Sequence, residues 1–264
     1  MLKPIFNFDY FGLPIYLMVL IVGAFISYVN FKKRMRQANA TPKTKRRVFW
    51  ALISAALIGV LSANIINWVT FPELWGYSIT ERFTLGGFSF YHGMLAFLGM
   101  SLLMLRLFKQ NHRYWVNEIV PSIILFNIIA RIGCSLAGCC YGVHLHEFSI
   151  FGLTIDIFPV RLLEIVCMII LFFVFRKKVI QNRLFWYLAC YSIIRFILEF
   201  LRGDDRGGLL LNWLTPAQIT SVLIWIGLGV YILIRFLKKL PLFKPIESYV
   251  PNPIEFQQPI KSMV

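Results

Sequence analysis

The sequence predicts an all-α polytopic membrane protein with seven transmembrane helices, and three observations carry that prediction. Of its 264 residues 58% are hydrophobic and only 15% are charged, a balance too apolar for a soluble domain of this length. Apolar runs of the length that crosses about 30 Å of hydrocarbon recur along the chain at 12–31, 48–70, 88–108, 163–175, 184–201 and 216–237, with a less clean one at 114–130. The basic residues sit in alternate connections between these runs and not on one folded face, so the net charge of +15 speaks for membrane topology and against a nucleic-acid partner.

The first run is fully apolar, with one preceding lysine and no A-x-A-like cleavage site, so it reads as a retained span and not as a cleaved signal peptide. Lys32, Lys33, Arg34, Arg36, Lys43, Lys45, Arg46 and Arg47 follow it, and Arg106, Lys109 and Arg113 follow the third run. The fourth, 114–130, carries Asn117, Glu118, Pro121 and Asn127, which predicts an interfacial start and a short core. Arg176, Lys177, Lys178 and Arg183 follow the fifth run, and Arg235, Lys238, Lys239 and Lys244 follow the last. With Lys261 these groups hold 20 of the 27 basic residues, and they share one side only if the weak fourth run spans. The positive-inside rule then places the N-terminus outside and the C-terminus in the cytoplasm. Residues 1–244 form one seven-span domain in this reading, and 245–264, of mixed polarity with several prolines, form a loose cytoplasmic tail. The chain shows no clear internal repeat, which weakens a transporter built from inverted repeats.

That orientation puts the unusual polar clusters on the external side. They are Gly86 to Gly93 entering the third span, Arg131 to Gly142 leaving the fourth, Pro159 to Glu164 entering the fifth, and Tyr191 to Arg206 leaving the sixth. Charges inside hydrocarbon are expensive and mark cavities and partners, so a polar chamber at the outer leaflet is expected. Tyr191, Arg195, Glu199 and Arg202 recur at i, i+4, i+8 and i+11, which places them on one helical face with Arg195 and Glu199 able to pair. The bland alternative is an inert packing pair with Arg202 snorkelling. Arg161 and Glu164 read as an interfacial i, i+3 pair. His92 stands where a general base for an external reaction would stand, and Gly93 beside it allows close approach of substrate to backbone. Arginines for an anion and a base for a nucleophile suit displacement of a phosphate-linked group.

Among the five cysteines, Cys167 and Cys190 fall inside spans and read as packing residues. Cys134, Cys139 and Cys140 lie outside, where a disulfide from Cys134 to either neighbour is allowed. A metal set of these thiols with His144 and His146 matches no standard zinc spacing, so no metal is expected. Residues 148–151 and 153–158 around Gly152 resemble a short external hairpin, with His144 and His146 as exposed loop residues.

Gly86-Gly-Phe-Ser-Phe-Tyr-His92-Gly93, Arg131-Ile-Gly133 through Gly142, Pro159-Val-Arg-Leu-Leu-Glu164 and Tyr191-x-x-x-Arg195-Phe-x-x-Glu199-Phe-x-Arg202 resemble, in order, motifs of the bacterial prolipoprotein diacylglyceryl transferases. The resemblance implies an inner-membrane enzyme working at the outer leaflet without a cofactor. It would move the diacylglyceryl group of phosphatidylglycerol to the lipobox cysteine of a prolipoprotein signal peptide and release glycerol phosphate. On that resemblance Arg131 and Arg195 clamp the phosphate, His92 takes the thiol proton, and Glu199 and Glu164 orient the arginines or the peptide. Tyr91, Gly93, Gly133, Gly142, Tyr191 and Arg202 complete the substrate site. The chain departs from the family pattern at Met94, where a second glycine is usual. It departs again at Ala130, Cys134, Ala137 and Cys139, where typical members carry Gly, Asn, a second Asn and Glu. Two other readings therefore stay open: a paralogue using the same lipid donor with another acceptor, and a non-catalytic protein that binds or transports anionic lipid. Transport is disfavoured because the inner halves of the spans read as almost purely apolar.

Overall fold

A computed structural model describes residues 12–85, 88–150, 153–177, 182–203 and 214–243. The expected tail at 245–264 lies outside the described residues. Eight α-helices account for most of the described chain: α1 Gly12–Gln37, α2 Pro42–Thr70, α3 Ile79–Leu85, α4 Phe90–Leu107, α5 His112–Leu136, α6 Val160–Phe175, α7 Arg183–Glu199 and α8 Pro216–Leu237. Five of them, α1, α2, α4, α5 and α8, are long and apolar enough to cross a membrane, which makes this a multi-pass membrane protein. Helices α6 and α7, at 16 and 17 residues, measure about 24 and 26 Å.

The helices begin and end where local chemistry dictates. Thr41 caps α2 by accepting from the Thr44 amide at 3.2 Å, with Pro42 in the first turn where its missing N–H costs nothing. Thr215 and Gln218 form a reciprocal capping box ahead of α8, again with a proline at the first position. Because α2 starts at Pro42, the basic residues 43–47 lie in its first turns and not in a loop. Residues 71–85, unassigned from sequence, hold a 3-10 turn at Pro72–Gly76 and the short α3. Strands β1, His144–Ile150, and β2, Leu153–Ile157, pair antiparallel with an irregularity between His144 and Phe148.

Packing follows residue size. Helix α2 lies against α4 at Gly59, Ala63 and Gly93, and a Cβ on Gly93 would stand 2.8 Å from Ala63 Cβ and 2.9 Å from the Gly59 carbonyl oxygen. Small residues at such crossings let helix backbones approach where lipid gives no hydrophobic drive. Helix α1 packs on α5, which also contacts α4, α6 and α7. Helix α5 is thus central, and at 25 residues it is longer than the short core expected. Asn117, Glu118, Pro121 and Asn127 are all buried. Their polarity marks a helix that faces other helices and not lipid.

Charged residues also lie between the helices at the end of the bundle away from Arg131, where the sequence reads as almost purely apolar. Glu118 on α5 accepts from Arg183 of α7 at 2.6 Å and from Arg34 of α1 at 3.2 Å. Arg34 and Arg183 reach on to the carbonyls of Arg176 and Lys177, and Asn117 accepts from the Leu184 amide. This cluster lies 13 residues, or about 20 Å, from Arg131 along α5. It ties α1, α5, α6 and α7 at one end of the bundle and contains no unmatched carboxylate. Glu118→Ala would leave two arginines without their shared carboxylate and should destabilise the protein by about 3 kcal/mol. Thermal unfolding in detergent would read this as a lowered midpoint, and an unchanged midpoint would remove the cluster from the account of stability.

Candidate active site

At the other end of α5 two arginine–carboxylate pairs are buried side by side. Arg131, near the C-terminus of α5, forms an ion pair with Glu164 in the first turns of α6, Nη2 lying 2.9 Å from Oε1. Arg195 on α7 meets Glu199 one turn later at 2.7 Å, the pair that the i, i+4 spacing anticipates. All four are nearly sealed from solvent: Arg131 is 6% exposed, Glu164 1%, Arg195 4% and Glu199 5%. Glu164 and Arg131 both act electrostatically on Arg195, and Tyr191 acts on all three, so the pairs form one cluster. Each arginine keeps donors in reserve. Arg131 Nε and Arg195 Nε and Nη1 are buried and make no hydrogen bond among the described residues.

Helix α4 supplies the histidine. His92 Nε2 lies 2.9 Å from Thr220 Oγ1 and Nδ1 lies 2.7 Å from Ser89 Oγ. The Thr220 hydroxyl donates to the Pro216 carbonyl, so it must accept from His92 Nε2–H. Nδ1 then carries the lone pair, and Ser89 donates to it. Arg195 and Glu199 are the charges that bear on this imidazole. Tyr91 donates to Ser221, whose own proton goes to Ala217, and its ring meets Tyr191 edge-on at 5.2 Å. Tyr191 stacks on Tyr187 at 5.6 Å, and Tyr187 donates to the Met94 sulfur.

The segment after α5 folds back on itself through two left-handed residues, Gly138 at φ 70° and Cys140 at φ 62°. Arg161 holds the fold by donating to the Cys134 carbonyl at 3.2 Å and the Cys139 carbonyl at 3.0 Å. As a result the thiols of Cys134, Cys139 and Cys140 lie within 4.8 Å of one another, and Cys134 Sγ is 4.0 Å from Arg131 Nη1. Hydrogen bonds to Cys134, then to Cys140, hold the Cys139 thiol well above its ordinary range. Bonds from Cys134 and Cys139 hold Cys140 well below it, against the opposing effect of burial. Gly142 bridges to Arg202 at the end of α7, Val143 donates to Leu201, and Gly203 donates to Tyr141. A Cβ at Gly142 would collide with the Phe158 carbonyl oxygen. Three segments therefore meet at one glycine, which places Arg202, itself buried, beside the thiol loop.

A family model described as prolipoprotein diacylglyceryl transferase matches residues 3–235. The chain belongs to the prolipoprotein diacylglyceryl transferase family. A Clostridium perfringens protein named phosphatidylglycerol–prolipoprotein diacylglyceryl transferase 2 is 28% identical over 239 residues, covering 83% of this chain and 90% of that one. Proteins named phosphatidylglycerol–prolipoprotein diacylglyceryl transferase from Clostridium tetani and Clostridium novyi are 27% and 30% identical. The matches cover 90% and 86% of this chain, and 100% and 94% of those proteins.

Against the sequence expectations for this family, the fold brings Tyr91, His92, Arg131, Glu164, Tyr191, Arg195 and Glu199 together. It places Gly93 elsewhere, facing α2, and Gly133 against Val19 and Tyr16 of α1. The expected Arg161–Glu164 pair is replaced: Glu164 takes Arg131, and Arg161 turns to the loop carbonyls. Sequence reasoning missed Ser89, Thr220 and Tyr16, the last lying beside Gly133 and bearing electrostatic contact with Arg131 and the thiols. A lone hydroxyl in an apolar run carries no periodic signal, so only the packing finds these three. Gly142→Ala should cost about 1–3 kcal/mol through overpacking and speed hydrogen exchange at the Val143 and Gly203 amides. Unchanged exchange there would show that the three-segment junction tolerates a methyl group.

Proposed function

We propose that this chain transfers the diacylglyceryl group of phosphatidylglycerol to the lipobox cysteine thiol of prolipoproteins, forming a thioether and releasing glycerol phosphate in lipoprotein maturation. Membership of the family and the names of the relatives support the reaction. The observation that carries it to these residues is the buried cluster of two arginine–carboxylate pairs beside a hydrogen-bonded histidine.

The carboxylates hold Arg131 and Arg195 in place without consuming their remaining N–H groups, which suits a phosphate that carries extra charge as it leaves. The acceptor thiolate attacks the diacylglyceryl carbon bearing the phosphate ester oxygen. The C–S bond forms, the C–O bond breaks, and the electron pair departs on glycerol phosphate against Arg131 and Arg195. His92 receives the thiol proton on Nδ1, with the Ser89 hydroxyl relaying it, while Thr220 fixes the imidazole through Nε2. Glu164 and Glu199 position the arginines, Tyr91 and Tyr191 line the lipid side, and Arg202 adds positive charge near the loop. Gly93, Gly133 and Gly142 serve by letting backbones approach.

The arrangement in the membrane belongs to the same proposal. Seven spans, α1, α2 and α4 to α8, form one unit over residues 1–244 in the bacterial inner membrane. The N-terminus is outside, the tail from 245 is cytoplasmic, and the site opens to the outer leaflet. The basic residues near Arg34 and Arg183 then lie on the cytoplasmic side, as positive-inside statistics require. A specific departure favours a second acceptor class: amide and carboxylate positions of the family loop are here the thiols Cys134 and Cys139.

The test uses purified protein in nanodiscs with phosphatidylglycerol and a lipobox peptide, following glycerol phosphate release and peptide mass. Release with the diacylglyceryl mass gain is expected, falling at least about 100-fold in Arg131→Ala and Arg195→Ala. Arg131→Lys controls for folding because it keeps a charge opposite Glu164. Undiminished turnover in both alanine variants would overturn the clamp, and release without peptide modification would assign a different acceptor.

A further inference from the structure

The thiol cluster has no part in the proposed transfer, yet its loop is held in a defined shape. Gly138 and Cys140 adopt left-handed backbone conformations, which are uncommon for a non-glycine residue such as Cys140. Arg161 pins the two carbonyls that bracket the loop. The outcome is three sulfurs mutually within 4.8 Å. Three thiolates around a tetrahedral zinc, at Zn–S about 2.3 Å, stand about 3.8 Å apart. The cluster reaches that geometry with about 1 Å of closure, whereas a disulfide needs two sulfurs at about 2.05 Å and leaves the third without a role. His144 is exposed and its ring packs toward Tyr141, so among the described residues the donor set is the three thiols.

We propose that Cys134, Cys139 and Cys140 form a trithiolate site for a soft divalent metal of zinc type, whose open fourth position takes the acceptor thiol. Three protein ligands with one open position is the pattern of metal sites that do chemistry, and thiolate donors select soft ions. A divalent ion with three thiolates carries one net negative charge, and a fourth thiolate makes two. Arg202, whose charge bears on Cys140, supplies one matching positive charge, and Arg131, paired with Glu164, still presents Nη1 at 4.0 Å from Cys134 Sγ. Cys139 is exposed and Cys134 buried, so the site runs from the surface to the arginine cluster, as an incoming peptide thiol requires.

The step deepens the proposed transfer and rests on that reading. The acceptor thiol binds the metal and loses its proton, which passes to the Ser89–His92 pair. The metal-bound sulfur then forms the C–S bond to the diacylglyceryl carbon as the C–O bond to phosphate breaks. The metal changes neither oxidation state nor protein ligands. Such a site gives this chain a means of holding the acceptor thiolate where other members of the family carry amides and a carboxylate.

The experiment measures metal by mass spectrometry in full-length protein purified anaerobically without chelators, alongside a count of free thiols. One zinc per chain is expected, lost in Cys134→Ala and in the Cys139→Ser, Cys140→Ser double variant. Protein reloaded with Co(II) should show thiolate-to-cobalt charge-transfer absorption. Its visible bands should shift on adding a lipobox peptide and not on adding the same peptide with Ser for Cys. Metal-free protein whose Cys134 is in a disulfide, or whose three thiols are all free, would overturn the site. Identical cobalt spectra with both peptides would overturn the acceptor role. Glycerol phosphate release assayed on the same preparation separates the readings. Transfer by metal-free protein removes the metal and leaves the transferase, whereas a peptide-dependent cobalt shift without transfer removes the transferase and leaves the site.

Discussion

Two arginines cannot sit unpaired at a depth where water is scarce, and the architecture around Arg131 and Arg195 follows from that constraint. An uncompensated buried charge costs several kcal/mol, so each guanidinium has to meet a carboxylate. Arg195 finds Glu199 within its own helix, but Arg131 has no acidic residue nearby on α5. It takes Glu164 from the first turns of α6, which forces α5 and α6 to enter the cluster at one level. The second consequence falls on Arg161: with Glu164 engaged, its guanidinium is available to pin the loop between α5 and β1. One ion pair thus sets the helix register, the loop shape and the meeting of the thiols.

The pairing also defines what the site can do chemically. Arg131 and Arg195 together with Glu164 and Glu199 carry no net charge, so the cluster can persist inside a membrane protein. An arginine bound to a carboxylate through one nitrogen still offers its other N–H groups in a fixed plane. Preorganised donors of that kind gain most from charge that develops during reaction, because they need not reorient. His92 is preorganised in the same sense, since two hydroxyls select one tautomer and direct its lone pair. At the opposite end of α5, Glu118 with Arg34 and Arg183 applies the same electrostatic rule to stability.

Much of this was legible in the sequence, and the failures have physical causes. Hydrophobic runs located α1, α2 and α4 to α8 because lipid-facing length is a property of composition. The Arg195–Glu199 pair was legible because i, i+4 neighbours share a face. The same rule misled at Arg161 and Glu164, where a partner 33 residues away in the chain won over one three residues away. Polar residues in α5 looked like a weak span, whereas they mark the helix enclosed by others. Gly93 looked open to substrate, whereas its missing side chain admits α2. The convergence of Cys134, Cys139 and Cys140 depends on two left-handed backbone positions, and residue spacing alone does not encode them.

The central claim is that the buried arginines recognise the lipid phosphate. Native mass spectrometry of the detergent-solubilised protein, offered equimolar phosphatidylglycerol and diacylglycerol, tests it without relying on turnover. The account predicts selective retention of phosphatidylglycerol by the wild-type chain and loss of that preference in an Arg131→Gln, Arg195→Gln double variant that remains folded. Equal retention of the two lipids by the wild type, or an undiminished preference in the variant, would contradict it.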